Sequence, residues 1–298
     1  MPRLDIRNRL IDPQSPDRRP RRAAYALPTL FTAGNIFLGY LSILRSFAGA
    51  LEQTTGGSGA GHFQVAAVAI GLAAFLDGLD GRIARLTNTV SAFGREMDSL
   101  ADVISFGIAP AVLAFAWGVQ FVDPGVDFGL HNQLTRAGYF FAFLFLLCGA
   151  VRLARFNVQV NPVPKNPGRP DRKYFVGLPI PAGAAMVAAV VYACDSEPLR
   201  WWPLSAAWLA LLALLSFLMV STWRYYSFKG FSLLRPRPPL TIIVLGVLIY
   251  LIWNYSQPVL LIMAIAYVGS GIAIRAGGIL RRRWRHTPPP PRPEHQVG

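Results

Sequence analysis

Four aspartates stand beside two long apolar segments, where charged side chains are otherwise scarce. They are Asp77, Asp80, Asp98 and Asp102. A carboxylate at the centre of a membrane-spanning helix costs about 3 kcal/mol, and less near the interface. Four of them within a short stretch of chain therefore require a compensating cation.

The spacing of these aspartates predicts where their side chains point. Asp77 and Asp80 are three residues apart, and Asp98 and Asp102 are four apart, so on helices each pair shares a face. A short turn between the two helices would bring both faces together. Clustered carboxylate oxygens suit Mg²⁺, Mn²⁺ or Ca²⁺ better than zinc. Glu96 lies off this face and is predicted to be a solvated charge.

Small residues accompany the aspartates on the same helical faces. Gly81, Ala84 and Gly94 leave room for a bulky ligand, and Arg85 adds a cation suited to phosphate. Metal ions, an arginine and free space are what phosphoryl transfer requires. The competing interpretation is that the aspartates form ion pairs with neighbouring arginines, which explains one carboxylate better than four at this spacing.

The elements that must position these residues are apolar helices. Hydrophobic residues make up 53% of the 298-residue chain and charged residues 15%, with a mean hydropathy of +0.38. Apolar blocks of this length predict an all-α integral membrane protein, a polytopic bundle of about eight transmembrane helices. The blocks are Leu27–Leu44, Phe63–Leu79, Leu100–Val119, Ala137–Val151, Gly177–Ala193, Trp202–Val220, Leu240–Trp253 and Val259–Ile274.

The formal charge of +14 is distributed unevenly across these predicted spans. If the amino end is cytoplasmic, the outer loops hold only Arg45, Arg136 and Arg200, and all other Lys and Arg residues lie inside. This asymmetry predicts a multi-pass protein of the cell (inner) membrane, with both termini and the aspartates cytoplasmic. A basic inner surface attracts anionic membrane lipids. No nucleic-acid partner is predicted, because the basic residues follow the spans and form no separate module.

Composition divides the chain into four parts. Residues 1–24 are a basic cytoplasmic segment, and residues 25–224 form the catalytic membrane domain. Residues 225–280 add a pair of transmembrane helices, and residues 281–298 form a basic, Pro-rich tail that is predicted to be disordered. The two cysteines and four histidines form no pattern typical of a metal or nucleophilic site.

The run from Asp77 to Asp102 resembles a known signature at every fixed position. This signature, D-x-x-D-G-x-x-A-R-x8-G-x3-D-x3-D, belongs to the CDP-alcohol phosphotransferases. The resemblance implies a helical membrane enzyme, usually a homodimer, with two divalent cations (Mg²⁺ or Mn²⁺) at the cytoplasmic face. It implies that Asp77, Asp80 and Asp98 bind metal, and that Asp102 is a further candidate metal ligand beside them and the catalytic base.

The same resemblance implies a binding site for the nucleotide of CDP-diacylglycerol. Gly81, Ala84 and Gly94 would make room for it, and Arg85 would help to hold it. On the first apolar block, Pro28, Thr32 and Asn35 resemble the stretch P-x3-T-x2-N, which borders the nucleotide in this family. Thr and Asn in a membrane span also bond neighbouring helices, so this second match is less specific.

Three further stretches resemble the branch of the family whose acceptor is serine: residues 98–110, 152–157 and 175–181. They predict transfer of a phosphatidyl group from CDP-diacylglycerol to L-serine, with release of CMP. A serine carboxylate needs a cation, and a bidentate arginine would select an amino acid. The candidate serine-binding residues are Arg152, Arg155, Asn157 and Lys173. The two arginines and the lysine also suit a role as positive anchors at span ends.

Two alternatives remain open from the residues. Glycerol 3-phosphate or inositol phosphate would suit the same chemistry, since two basic inner loops offer cations for a phosphate. From another class, intramembrane aspartates would suit a cation transporter, although such carboxylates usually lie nearer the midplane. Metal-dependent CMP release distinguishes an enzyme from a transporter.

Overall fold

The computed structural model describes residues 22–87, 92–123, 128–160, 174–226 and 239–284. The helices in this part of the chain are α1 (Arg22–Thr54), α2 (Ala60–Thr87), α3 (Ala92–Asp102), α4 (Ala109–Gly118), α5 (Phe128–Val160), α6 (Ile180–Ala193), α7 (Trp202–Val220), α8 (Pro239–Asn254) and α9 (Ser256–Trp284). A π-helical segment, Val103–Ile108, joins α3 to α4, so that the two run as one continuous helix.

The prediction of an all-α polytopic membrane protein is confirmed. Each predicted apolar block lies mainly within a helix, and six helical stretches among the described residues are long and apolar enough to cross a membrane. Helix α6 has 14 residues and α8 has 16, fewer than the roughly 20 that a bilayer core requires. Six of the eight predicted spans are therefore long enough to cross a membrane, and the predicted total of eight is not confirmed.

The helices extend beyond several of the predicted blocks. Helix α1 ends at Thr54, ten residues after the predicted end at Leu44, and α5 spans Phe128–Val160 where the prediction began at Ala137. Hydropathy marks the part of a helix that lies in lipid, whereas backbone hydrogen bonding continues into the polar flanks until a breaker intervenes.

Helix α6 starts later than predicted, at Ile180 instead of Gly177. Gly177 has a positive φ of 79°, and its N–H donates to the Trp223 carbonyl at 2.8 Å. Glycine suits this left-handed conformation because it lacks a Cβ. Pro179 then caps the helix, so these residues form a tight entry to α6 and not its first turn.

A two-stranded antiparallel ribbon crosses the end of the bundle beside this entry. Strand β1 (Tyr174–Val176) pairs with β2 (Arg224–Tyr226), with Phe175 opposite Tyr225. These short strands, which hydropathy did not predict, tie the start of α6 to the segment that follows α7.

The core lies where α2, the α3–α4 helix, α5, α6 and α7 meet. Alanines on α2, including Ala66 and Ala73, are fully buried and allow neighbouring helices to approach closely. Trp208 on α7 donates its indole N–H to the Ala114 carbonyl at 2.9 Å, and Ser205 donates to the Gly118 carbonyl at 2.7 Å. These bonds fix α7 against α4, at the end of the bundle opposite the aspartates.

Candidate metal and acceptor site

Helices α2 and α3 bring three of the four predicted aspartates together. Asp77 lies near the carboxyl end of α2, and Asp98 and Asp102 lie one turn apart on α3. One carboxylate oxygen from each residue lies within 4.8 Å of the other two. Asp80 is on α2 one turn after Asp77, but its side chain is outside the described residues. The convergence expected from the spacing is present for the three described side chains.

This cluster is largely removed from water. Asp102 is only 9% exposed, and Asp77 and Asp98 are partly buried and lie close enough to repel each other electrostatically. Oδ1 of Asp98 is buried and has no hydrogen-bond partner among the described residues. A buried carboxylate without a matching donor, such as that of Asp98, is stabilised by a nearby cation. The hard oxygen atoms of this cluster fit Mg²⁺ or Mn²⁺, so the residues present suit the divalent metal that the signature implies.

Helix α1 forms the wall beside this cluster. Thr32 and Asn35 are buried one turn apart, and Asn35 is fully inaccessible. Both side-chain amide atoms of Asn35 lack a hydrogen-bond partner within the described part of the chain. The Asn35 backbone carbonyl accepts a 2.8 Å bond from the Ser105 hydroxyl, three residues after Asp102. The Asn35 side chain therefore has free polar atoms within a turn or two of the aspartates.

The approach of α1 to the π-helical segment depends on Gly39. A Cβ at this position would lie 2.8 Å from the Ser105 Cα and 2.5 Å from its hydroxyl oxygen. Glycine is needed here for close helix packing and not for an unusual backbone angle. Sequence reasoning did not identify Gly39 or Ser105; a small residue in a span was the only signal.

The helix that carries Asp98 and Asp102 changes its hydrogen bonding directly after Asp102. The Ala109 N–H donates to the Ile104 carbonyl, five residues earlier, which is the π-helical pattern. Pro110 follows and has no N–H of its own to donate. Such π-helical insertions occur often at functional sites because they alter the direction of side chains without ending the helix.

The remaining residues of the predicted nucleotide site lie on the same two helices. Gly94 is on α3, one turn before Asp98, and is partly buried. Glu96 is exposed, as predicted. Gly81, Ala84 and Arg85 are on α2 after the aspartates, but their surroundings lie outside the described residues.

The predicted serine-binding residues separate into different environments. Arg152 on α5 is partly buried and lies within electrostatic range of Asp102. Its Nε atom is buried without a hydrogen-bond partner among the described residues. The Asn157 amide donates to the Ser99 hydroxyl on α3 at 2.8 Å, which fixes α5 beside the aspartates. Arg155 is exposed, and Lys173 lies outside the described residues.

The helical membrane fold holds a buried carboxylate cluster within electrostatic range of the Arg152 guanidinium, an arrangement that suits phosphoryl transfer. A profile of the CDP-alcohol phosphatidyltransferase family matches residues 25–219. The chain belongs to this family. The match includes all four aspartates and Arg152, and it ends before α8 and α9.

Several curated relatives carry a more specific name. A CDP-diacylglycerol–serine O-phosphatidyltransferase of Helicobacter pylori is 39% identical over 210 residues, covering 70% of this chain and 76% of the relative. One from Saccharomyces cerevisiae is 41% identical over 160 residues, covering 51% and 52%. An archaetidylserine synthase of Methanothermobacter thermautotrophicus is 38% identical over 166 residues, covering 55% and 57%.

Proposed function

We propose that this protein is a CDP-diacylglycerol–serine O-phosphatidyltransferase, which makes phosphatidylserine and CMP from CDP-diacylglycerol and L-serine. The observation that carries the proposal is that the partly buried Arg152 on α5 lies within electrostatic range of Asp102 in the carboxylate cluster. A cation next to the proposed base suits an acceptor that bears a carboxylate close to its hydroxyl. The relatives named for serine transfer support the same acceptor.

The proposed reaction is a single displacement without a covalent enzyme intermediate. Asp102 accepts the proton of the serine hydroxyl, whose oxygen attacks the phosphorus that bears diacylglycerol. A new P–O bond to serine forms as the bond between that phosphorus and the CMP oxygen breaks, and CMP leaves with the electron pair. Two divalent cations (Mg²⁺ or Mn²⁺), held by Asp77, Asp80 and Asp98, would neutralise the charge of the pyrophosphate.

The nucleotide is proposed to lie between α1 and the aspartates. Thr32 and the free amide of Asn35 suit polar groups of the nucleotide, since a buried amide without partners is otherwise costly. The small residues Gly81, Ala84 and Gly94 would leave space for it, and Arg85 would contact a phosphate. The acyl chains remain in the surrounding lipid.

The test of this function is CMP release by the purified protein in detergent. With CDP-diacylglycerol and Mg²⁺ or Mn²⁺, release should require L-serine and should cease when a chelator is added. If release required glycerol 3-phosphate or inositol phosphate, the proposed phosphatidyl transfer would stand but serine would be rejected as the acceptor. If no alcohol supported CMP release and the protein instead carried metal ions across vesicle membranes, a cation transporter would be favoured.

Arg152→Gln should raise the KM for serine by about 30-fold, because a bidentate charged contact contributes about 2 kcal/mol. The KM for CDP-diacylglycerol should change little. Arg155→Gln is the matched control: this arginine lies one turn away on the same helix but is exposed, so its removal should have a smaller effect. An unchanged serine KM in Arg152→Gln would remove Arg152 from the proposed pocket.

We propose that the protein lies in the cell (inner) membrane, with the aspartates and both termini on the cytoplasmic side. Cys194 caps α6 at the opposite end of the bundle, since the neighbouring Leu199 N–H bonds to the Trp117 carbonyl near the end of α4. Cys194 is exposed, and Cys148 lies within the α5 span. The orientation therefore places Cys194 outside.

A membrane-impermeant maleimide should label Cys194 in intact spheroplasts, and Cys194→Ser should abolish the labelling. Partial burial of the thiol and then the charge of Asp195 raise the pKa of Cys194 above its usual value. Because the thiolate is the reactive form, labelling should be slow at neutral pH and should accelerate as the pH rises. Labelling only after the cells are broken would reverse the proposed orientation.

A homodimer is also proposed, as the family resemblance implies. The aromatic residues Tyr139, Phe140 and Phe143 on α5 form an apolar face that is exposed among the described residues and that suits such a contact. Chemical cross-linking in native membranes would detect such a pair.

A further inference from the structure

Helix α9 lies outside the part of the chain that matches the family, yet it packs against the catalytic domain. It packs against α6, and near its middle it contacts β2. At the end opposite the aspartates, the Tyr192 hydroxyl bonds to the Ser256 hydroxyl at 2.8 Å, and Gln257 donates to the Asp195 carboxylate at 2.8 Å. These contacts position the start of α9.

A second contact, closer to the aspartates, determines which residues α9 presents to the domain. Tyr225 of β2 is fully buried, and its ring occupies the space that a side chain at Gly271 would need. Its hydroxyl donates to the Val268 carbonyl at 3.5 Å. Burial raises the pKa of Tyr225 to about 12, so the phenol remains a donor at physiological pH. Helix α9 cannot slide or rotate without losing both interactions.

This register places Tyr267 within electrostatic range of Arg152. The Tyr267 and Tyr225 rings lie 5.9 Å apart at an angle of 37°. On its other side, Tyr267 lies within electrostatic range of the Arg152 guanidinium, which in turn lies within range of Asp102. The guanidinium carries five N–H donors in a fixed plane, and its buried Nε has no hydrogen-bond partner among the described residues, so a nearby phenol can influence its orientation.

We propose that Tyr267 is a positioning residue for serine: it holds the Arg152 guanidinium in the orientation that receives the acceptor carboxylate. The proposal rests on the proposed function, since it concerns the acceptor side of the same site. It assigns a role in acceptor recognition to a helix beyond the family domain. Tyr267 does not contact the reacting atoms and acts through Arg152.

Tyr267→Phe keeps the ring that packs on Tyr225 and removes only the hydroxyl. The KM for serine should rise about tenfold, with kcat and the KM for CDP-diacylglycerol nearly unchanged. Tyr250→Phe is the matched control, because Tyr250 is an exposed tyrosine on α8 and should leave all three constants unaltered. An unchanged serine KM in Tyr267→Phe would overturn the proposal.

A double-mutant cycle separates positioning from a general structural effect. In an Arg152→Gln background, Tyr267→Phe should cause no further rise in the serine KM, because the group that it positions is absent. Equal effects in both backgrounds would show that Tyr267 acts independently of Arg152, and would overturn the proposal. If the wild-type protein released CMP only with another acceptor, the proposed function itself would be refuted. That result is distinguishable from both outcomes of the double-mutant cycle, which compare serine KM values.

Discussion

Asp98→Asn should reduce CMP release by about 1,000-fold or more, a loss of about 4 kcal/mol of transition-state stabilisation. Asparagine has nearly the same shape as aspartate but no charge, so the fold should persist while one anionic ligand is lost. Oδ1 of Asp98 is buried and has no hydrogen-bond partner among the described residues. Its charge therefore has a role beyond internal hydrogen bonding, and the proposed role is cation binding.

The matched control for this change is Glu96→Gln. Glu96 is on the same helix two residues earlier and is exposed, so the loss of its charge should alter CMP release by no more than about twofold. The measurement is the initial rate of CMP release at saturating Mg²⁺, with the melting temperature of each variant recorded in the same detergent. An Asp98→Asn variant with more than about a tenth of wild-type activity would contradict the metal-binding role.

Gly39→Leu should cause the second largest loss, about 100-fold in activity, together with about 1–3 kcal/mol of destabilisation from overpacking. Any side chain at position 39 meets the backbone of Ser105, which cannot move aside as a flexible side chain can. Helix α1 must then separate from the π-helical segment. This separation breaks the bond from Ser105 to the Asn35 carbonyl and moves Thr32 and Asn35 away from the aspartates.

Gly71→Leu is the control for this substitution. Gly71 is a helical glycine on α2, and a Cβ there would meet no atom within 4 Å outside its own helix. Activity and melting temperature should be close to wild type in this control. Wild-type activity in Gly39→Leu would mean that the contact between α1 and the π-helical segment is not needed for the site.

The clustering of the aspartates was predictable from local sequence. Asp77, Asp98 and Asp102 were identifiable because carboxylates are costly in an apolar segment and because helical spacing determines which of them share a face. A short connection between α2 and α3 allows few arrangements other than antiparallel packing. Convergence to 4.8 Å therefore followed largely from information within 26 residues of chain.

The membrane fold was predictable for a related reason. Lipid offers no hydrogen bonds to the backbone, so a long apolar block in a membrane must be helical. Helix ends were less predictable, because hydropathy reports contact with lipid and not the breakers that end a helix. The entry to α6 illustrates this, since Gly177 takes its conformation from a bond to Trp223, which is 46 residues away.

Contacts between distant segments were decided only by the tertiary structure. The place of Tyr267 beside Arg152 depends on Tyr225 and Gly271, which fix the register of α9, and no periodicity within α9 encodes that register. The close crossing at Gly39 likewise requires two segments that lie far apart in sequence, since Ser105 bonds to Asn35. Local sequence determined which carboxylates cluster, because the cost of burying charge and the helical repeat act locally. Packing decided which neighbours orient those groups, because steric fit between helices depends on both partners at once.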